Sequence, residues 1–341
     1  MSLRRLGELG LIRRLREEAE RSPAAGVTVG IGDDTAVLAV SPGAALLATT
    51  DLVIEDVHFR RAWATPEDIG WKAVAVNLSD IAAMGGTPRW ALVALAVPAD
   101  TDVAEIEACY RGMRAAAAPY GVAIVGGDTS QSPRGWFVDV TLLGEHGGAP
   151  RRRSGARAGD AIAVTGSLGR AAAGLAVLEM GADAARRAGL AEAAIEEVTR
   201  AHLRPRARVA EGRWLGDAPA VRAMMDCSDG LATDLGHVCR ESRVGARIRV
   251  DRLPVAAGAE AAARVLGRDP LTWAASGGED YELLVTCDPA EADRLARELQ
   301  RSTGTPLTVI GEVEAGPAEI RWLGLDGRSV APGAGFEHFR D

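Results

Sequence analysis

The hydrophobic and polar positions of the first 146 residues alternate between strand-like and helix-like patterns. Residues 1–20 carry a charge every few positions and predict an amphipathic helix. Helical apolar spacing predicts two more helices, the first of which begins at Pro66-Glu67-Asp68, residues typical of a first helical turn. These helices span 66–85 and 102–120, and the predicted strands span 27–40, 44–54, 89–97, 121–128 and 136–146.

Residues 147–159 are rich in glycine, proline and arginine and are predicted to link two domains. A second series of strands and helices follows them and continues to residue 323. It comprises a strand at 160–165, a turn at 166–169, helices at 170–180 and 183–212 with a break near Pro205, and a strand at 220–226. Because one hydrophobic core rarely serves 341 residues, the chain is predicted to form two α/β domains, 1–148 and 149–341.

Composition narrows the class of protein. Apolar residues make up 47% of the chain and charged residues 25%, values that are ordinary for a globular protein. Apolar runs such as 90–97 are too short to cross a bilayer, and the charged N-terminus does not resemble a signal peptide, so a cytoplasmic location is expected. The net charge of −8 and the scattered basic residues, apart from 151–153, argue against nucleic-acid binding.

Cysteine and lysine usage exclude several kinds of site. The chain has neither a C-x-x-C pair nor histidines at zinc spacing, so its cysteines are expected to be buried free thiols: Cys109, Cys227, Cys239 and Cys287. Lys72 is the only lysine, and no glycines precede it at P-loop spacing. The H-R-D and D-F-G motifs of protein kinases are also missing.

Small residues and carboxylates occur together in six short segments, most of which follow an apolar run. Such segments are predicted to be turns at the ends of buried strands, where ligands bind in open α/β sheets. Magnesium prefers oxygen ligands and is usually held by a few carboxylates together with substrate phosphates. The segments are Gly32-Asp33-Asp34, Thr49-Thr50-Asp51, Leu78-Ser79-Asp80, Gly126-Gly127-Asp128, Asp226-Cys227-Ser228-Asp229-Gly230 and Gly277-Gly278-Glu279-Asp280.

Each segment also has a purely structural interpretation, because aspartate beside glycine or serine is common in turns and helix caps. Six such segments together favour a metal site, since gathered carboxylates repel one another without cations. Other residues stay open between structure and function. His58 and Phe336 could contact a substrate or only pack, Lys72 and Arg153 could bind phosphate or be solvated, and the turn 166–169 could bind an anion or only need its glycines.

Several motifs together resemble the thiamine-monophosphate kinases, a branch of the aminoimidazole-ribotide-synthetase-like superfamily. They occur in the order of that family and extend from about residue 5 to 339. The V-H-F run after T-T-D and the S-G-G-E-D-Y-E-L run are specific to the kinase branch. The motifs are Asp33-Asp34-Thr35-Ala36, 49–59, 72–88, 126–130, 226–237 and 276–284.

The resemblance implies a two-domain fold of mixed sheets with flanking helices, and a homodimer in which the N-terminal domains pair. It implies that ATP and several Mg²⁺ ions lie between the domains and that ATP phosphorylates thiamine monophosphate, the last step of thiamine diphosphate biosynthesis. The implied magnesium ligands are Asp34, Thr49, Thr50, Asp51, Asp80, Asp128, Asp226 and Asp229. The implied ATP contacts are Tyr110, Gly127, Asp128, Arg153 and Ser228, and the implied substrate contacts are His58, Glu279 and Phe336. No general base is implied.

The sequence departs from the family pattern at three places. Asp56 stands where glycine is usual, Cys227 where an aliphatic residue is usual, and residues 131–133 continue the Gly-Gly-Asp segment unusually. Two other interpretations stay open at this point. One is an ATP-dependent synthetase of the same superfamily, and the other is a non-catalytic sensor that binds metal or nucleotide.

Overall fold

The computed structural model describes residues 2–20, 25–31 and 35–330. The chain divides into two compact units, the first made of residues 1–81 and 86–149 and the second of residues 82–85 and 150–341. Within the described ranges, no helix has the length and apolar character needed to cross a membrane.

A four-stranded mixed sheet in the order β3-β6-β4-β5 forms the centre of the first unit. Strands β3, β6 and β4 pair antiparallel, and β4 and β5 pair parallel. A short hairpin of β1 and β2 lies outside this sheet. The strands are β1 (Val27–Val29), β2 (Val37–Leu38), β3 (Ala45–Ile54), β4 (Thr87–Val97), β5 (Ala123–Gln131) and β6 (Phe137–His146).

The first unit has four α-helices within the described part of the chain. The helices are α1 (Leu3–Leu6), α2 (Glu8–Glu20), α3 (Pro66–Ala83) and α4 (Val103–Ala117). Helix α3 begins with a reciprocal cap, since Thr65 Oγ1 donates to an Asp68 carboxylate oxygen at 2.6 Å and accepts from the Asp68 amide at 3.2 Å. Asp102 caps α4 by accepting from the Ala104 amide at 3.0 Å. The predicted helices at 66–85 and 102–120 are therefore confirmed, with ends shifted by two or three residues.

A six-stranded mixed sheet in the order β12-β9-β11-β7-β10-β8 forms the centre of the second unit. Its neighbouring strands pair antiparallel except β12 and β9, which are parallel. The strands are β7 (Ala161–Thr165), β8 (Val221–Cys227), β9 (Gly245–Arg249), β10 (Glu282–Cys287), β11 (Leu307–Glu314) and β12 (Ile320–Leu323).

Eight helices of the second unit surround this sheet within the described part of the chain. They are α5 (Arg170–Met180), α6 (Ala182–Arg187), α7 (Glu192–Leu203), α8 (Val209–Asp217), α9 (Leu231–Ser242), α10 (Ala257–Leu266), α11 (Pro270–Ser276) and α12 (Ala292–Thr303). The stretch predicted as helix with one break, 183–212, contains α6, α7 and the start of α8. Helix α9 buries Leu231, Leu235, Val238 and Cys239 in the core beneath the sheet.

Candidate active site

Three of the six Asp-bearing segments lie inside regular elements, so the prediction that these segments are turns is wrong for them. Thr49, Thr50 and Asp51 lie in the middle of β3, Asp80 lies in α3, and Asp128 lies in β5. Strand pairing continues past Asp51 in β3 and past Asp128 in β5, so the backbone groups of these residues stay in the ladder. Each carboxylate is therefore presented from the side of a strand or helix and not from a strand end.

Consecutive residues of β3 point to opposite faces of the sheet, which separates the predicted ligands. Thr49 lies on the face packed by α3, because its hydroxyl donates a short hydrogen bond to a carboxylate oxygen of Asp80. Asp51, two residues further along, shares this face and pairs with the buried Val140. Thr49, Asp51 and Asp80 therefore form one oxygen-rich group on the helix side of the sheet.

Thr50 lies on the opposite, open face of the sheet. Its hydroxyl donates to an Asp139 carboxylate oxygen at 2.9 Å and lies 3.1 Å from the hydroxyl of Thr141. Asp139 was not among the predicted site residues. Its signal in the sequence is a single acidic residue in the alternating strand 137–143, a pattern that is equally typical of a solvated strand face.

Asp128 shares the open face but lies at the far edge of the sheet from β3. The strand register places Leu52, Asp139, Ala94 and Asp128 in one row across β3, β6, β4 and β5. Adjacent strands are about 4.8 Å apart, so three steps separate the two edge strands by about 14 Å. Asp51 and Asp128 of one chain are therefore too far apart to bind a common ion directly.

Gly127 lets β5 approach β4 closely beside Asp128. Its φ is 149°, and a Cβ atom there would lie 1.8 Å from the carbonyl oxygen of Val93. Any other residue would push the edge strand away from the sheet. This glycine therefore fixes the position from which Asp128 is presented.

His58 is held in one orientation by the backbone. Its Nδ1 accepts a hydrogen bond from the Ile54 amide at 3.1 Å, so the neutral ring carries its proton on Nε2. The Lys72 ammonium donates to the His58 carbonyl oxygen at 3.2 Å. Lys72 is only 2% exposed, so the interpretation of Lys72 as a surface residue is wrong.

Asp56 lies beside His58 at φ 66°, in the left-handed region that glycine favours. Aspartate is among the few other residues that tolerate this conformation. The backbone conformation at this position therefore suits glycine and also accepts aspartate.

In the second unit, two predicted segments lie against each other. The turn 226–230 ends β8, and the Ser228 carbonyl oxygen accepts from the Glu279 amide at 2.7 Å. The Cys227 carbonyl oxygen accepts from the Tyr281 amide at 2.8 Å. These contacts bring the predicted ATP contact Ser228, the predicted metal ligand Asp229 and the predicted substrate contact Glu279 together.

Glu279 and Tyr281 have φ values of 65° and 50°, so this segment has a conformation that non-glycine residues rarely adopt. His202, 5% exposed on α7, supports it, since its Nδ1 lies 3.0 Å from a carboxylate oxygen of Glu279. Sequence reasoning missed His202 because it is separated from Glu279 by more than seventy positions and lies in no recognisable motif.

Asp280, between Glu279 and Tyr281, explains the glycine-rich turn 166–169. Its two carboxylate oxygens accept from the amides of Gly169 and Ala171 at 2.6 and 3.2 Å, and so cap α5. Burial raises the pKa of Asp280 to about 7, against the opposing effect of these hydrogen bonds. The group that caps the start of α5 is therefore the Asp280 carboxyl group of the chain itself. Because it occupies the amides of Gly169 and Ala171, these amides are not available to bind an external anion.

Glu282 forms a buried ionic network behind the same turn. Its oxygens accept two hydrogen bonds of 2.6 Å from Arg208, one of 2.8 Å from Arg170 and one of 2.8 Å from Thr165. A Cβ atom on Gly166, whose φ is 57°, would lie 2.1 Å from this carboxylate. The network therefore holds the turn and the start of β10 in a fixed relation.

Asp226 and Asp234 are both almost completely buried, at 3% and 1% exposure. Burial, together with the charges of Asp226 and Asp229, raises the pKa of Asp234 to about 8. Neither Asp234 oxygen has a hydrogen bond of normal geometry to the described residues, although the Asp229 amide opposes the rise in pKa.

The remaining predicted residues occupy varied positions. Tyr110 is 5% exposed in the core of the first unit, where burial raises its pKa, and Arg153 is exposed. Asp34 and Phe336 lie outside the described residues. The four cysteines are buried free thiols, as predicted, and Cys227 packs in the core of the second unit, an environment that suits an apolar side chain.

The candidate metal ligands in both units are hydroxyl and carboxylate oxygens, the kind of ligand that magnesium prefers. Within residues 2–20, 25–31 and 35–330, no group of three or more His, Cys, Asp or Glu side chains is arranged to hold an ion by itself. A magnesium ion at either group would therefore need water or substrate phosphate to complete its coordination, which is how magnesium is usually bound.

Comparison with known proteins covers nearly the whole chain. Residues 32–146 match the N-terminal domain of AIR synthase related proteins, and residues 157–323 match the C-terminal domain of that family. The chain is 38% identical to the thiamine-monophosphate kinase of Mycobacterium tuberculosis, an alignment that covers 99% of this chain and 93% of that protein.

Two solved structures are similar along their whole length. The thiamine-monophosphate kinase of Stenotrophomonas maltophilia matches with a TM-score of 0.81 and 36% identity, over 95% of this chain and 98% of that chain. The structure of AaThiL complexed with AMPPCP and TMP matches with a TM-score of 0.75 and 34% identity, over 99% of each chain.

Proposed function

Because the chain belongs to the AIR synthase related family and, within it, to the thiamine-monophosphate kinases, we propose that it transfers the γ-phosphoryl group of ATP to thiamine monophosphate. The products are ADP and thiamine diphosphate. The family resemblance and the two-domain fold of mixed sheets and helices predicted from the motifs are confirmed. The observation that carries the proposal is the end-to-end match to kinases, one of which was solved with AMPPCP and TMP.

The acceptor oxygen needs no general base. The second pKa of a phosphate monoester is about 6, so the acceptor is mostly a dianion at neutral pH. The obstacle to reaction is repulsion between this dianion and the triphosphate of ATP, which bound magnesium ions would reduce while stabilising charge on the transferred group. The chain contributes by fixing both partners in line.

Two groups of oxygen ligands support this mechanism. Thr49, Asp51 and Asp80 would hold magnesium in the N-terminal domain, and Asp226 and Asp229 in the C-terminal domain. Asp34, Thr50 and Asp128 complete the proposed set. Among the described residues neither group has enough ligands to define a site alone, so water or substrate phosphate would complete the coordination.

The proposed contacts to ATP and to thiamine monophosphate come from both domains. The proposed ATP contacts are Tyr110, Gly127, Asp128, Arg153 and Ser228, and the proposed substrate contacts are His58, Glu279 and Phe336. His58, with its proton on Nε2, would donate a hydrogen bond to thiamine monophosphate. The Glu279 carboxylate would attract the positively charged thiazolium ring.

One assay separates this proposal from the rival functions. ADP release is measured with magnesium and ATP, with and without thiamine monophosphate, and thiamine diphosphate is quantified in parallel. A kinase releases ADP only with thiamine monophosphate and forms one thiamine diphosphate per ADP. A superfamily synthetase would ignore thiamine monophosphate, and a sensor would bind ATP without releasing ADP.

The role of the aspartates is tested by Asp51→Asn and Asp128→Asn. Each should lose most activity while keeping the unfolding midpoint of the parent, because Asn keeps the shape but binds magnesium weakly. Turnover near that of the parent at saturating magnesium would contradict the assignment. Labelled phosphate trapped on the protein from ATP alone would contradict direct transfer.

We also propose that the chain forms a homodimer through the sheet of its N-terminal domain. The open face of this sheet carries Leu46 and Leu52, which are 51% and 45% exposed. Both β3 and β5 are edge strands among the described residues, and unpaired edges with apolar faces favour association. A second copy that placed its β5 beside β3 would also bring the strand that carries its Asp128 to about 4.8 Å from the strand that carries Asp51.

Mixing two inactive variants tests this arrangement. Asp51→Asn and Asp128→Asn chains, co-expressed, should recover about a quarter of the parent activity, since half of the dimers would be mixed and each would keep one intact site of two. No recovery above the separate variants would contradict sharing of the site. Leu52→Glu should convert the dimer to a monomer in sedimentation measurements, and an unchanged mass would contradict this interface.

A further inference from the structure

Asp234 is a carboxylate at a position where its helix is otherwise apolar. The buried face of α9 is formed by Leu231, Asp234, Leu235 and Val238. Asp234 is 1% exposed, and both of its oxygens lack a hydrogen bond of normal geometry to the described residues. Burying a carboxylate without hydrogen-bond partners is unfavourable, so Asp234 needs a compensating partner.

The surroundings of Asp234 indicate what this partner is. Asp234 lies in the first turn of α9, directly after the turn 226–230, and its amide donates to the Gly230 carbonyl oxygen at 3.0 Å. That turn carries the proposed magnesium ligands Asp226 and Asp229 and the proposed ATP contact Ser228. Two further carboxylates near Asp234 make its burial less favourable, unless a cation lies among them.

We propose that Asp234 belongs to the metal site of Asp226 and Asp229 and accepts hydrogen bonds from water bound to the magnesium ion there. An outer position fits because the three carboxylates are not arranged to bind one ion directly. Magnesium keeps several of its waters in proteins, and these waters are strong donors. This inference rests on the proposed function for the presence of magnesium.

A purely structural role is the competing explanation, because a carboxylate in the first turn of a helix interacts favourably with the helix dipole. That role predicts that removing the charge destabilises the protein without metal. The metal role predicts the opposite, since without the ion the buried carboxyl group lacks hydrogen-bond partners among the described residues and is a cost. Stability measured in EDTA therefore separates the two roles.

The experiment uses the full chain and Mn²⁺ alone as the probe, titrated by electron paramagnetic resonance. The Asp226→Asn variant identifies which Mn²⁺ ion belongs to this site. Asp234→Asn should weaken binding of that same ion by about 10- to 100-fold, as loss of a hydrogen-bonding neighbour of a metal ligand usually does. Its urea midpoint in EDTA should equal or exceed that of the parent.

Asp293→Asn is the matched control, because Asp293 is an exposed carboxylate in the first turn of α12 in the same unit. It should change neither Mn²⁺ binding nor the urea midpoint. Mn²⁺ affinity within twofold of the parent for Asp234→Asn, no Mn²⁺ ion assignable to Asp226, or an Asp234→Asn chain that unfolds more easily or fails to fold in EDTA would overturn the inference. Failure of the kinase proposal would appear separately, as absence of thiamine diphosphate formation by the parent.

Discussion

Replacing each of two adjacent glycines by alanine gives a sharp test of how Asp128 is positioned. In Gly127→Ala the new Cβ would lie 1.8 Å from the carbonyl oxygen of Val93 and 2.8 Å from its nitrogen. In Gly126→Ala the new Cβ would meet only the Leu92 Cδ2 atom, at 3.0 Å, and this atom can move with its flexible side chain. The two variants add the same methyl group one residue apart.

The expected magnitudes follow from these distances. Strain at the φ of 149° costs about 1–3 kcal/mol, and forcing backbone atoms apart in a packed sheet costs a further 1–3 kcal/mol or more. Gly127→Ala should therefore lower the free energy of unfolding by at least about 3 kcal/mol. Gly126→Ala should lower it by less than about 1 kcal/mol, because only a side chain must adjust.

The assay is urea unfolding in EDTA, followed by tryptophan fluorescence and circular dichroism. Stability is the appropriate measurement because Gly127 is also a proposed ATP contact, so loss of activity alone would not separate the two roles. If Gly127→Ala were within about 1 kcal/mol of Gly126→Ala, the close approach of β5 to β4 could not be what fixes Asp128.

Three further predictions concern the second unit. Arg208→Met should cost about 3 kcal/mol of unfolding free energy, since Glu282 stays buried with only Arg170 and Thr165 as side-chain partners; a loss below 1 kcal/mol in urea unfolding would contradict the network. Because the pKa of Asp280 rises from 3.8 to about 7 on folding, the folded chain keeps a proton that the unfolded chain releases, so stability should fall with rising pH across this interval by up to about 1.4 kcal/mol per unit. Asp280→Asn should remove this part of the slope, and identical pH profiles of stability for parent and variant would refute the assignment. His202→Phe should raise the KM for thiamine monophosphate about tenfold through loss of one charged hydrogen bond to Glu279, with the KM for ATP unchanged; an equal rise in both would point to general disruption.

The sequence by itself determined much about this protein. Periodicity predicted the main strands and helices of the N-terminal unit, because local patterns of apolar residues decide which face of an element is buried. Pro66-Glu67-Asp68 marks the start of α3 in the sequence, and the caps that Thr65 and Asp102 form in the structure are contacts within three residues. The Asp-bearing segments and the S-G-G-E-D-Y-E-L run were sufficient to indicate the family.

Only the tertiary structure decided how these segments are presented. The threonines Thr49 and Thr50 are neighbours in sequence, yet one contacts Asp80 and the other Asp139, because a strand turns consecutive side chains to opposite faces. The sequence pattern predicted turns at these segments. Pairing of Thr49, Thr50 and Asp51 with β6, and of Asp128 with β4, instead keeps them within the sheet.

Partners distant in sequence were beyond prediction for the same physical reason. The hydrogen bond that Asp280 accepts at the start of α5, and the contact between His202 and Glu279, depend on packing between elements. Such packing leaves no periodic signal in the sequence of either segment. Asp234 is the clearest example. Its position on the buried face of α9 is visible in the sequence, but its lack of hydrogen-bond partners among the described residues depends on the side chains that surround it in the folded chain.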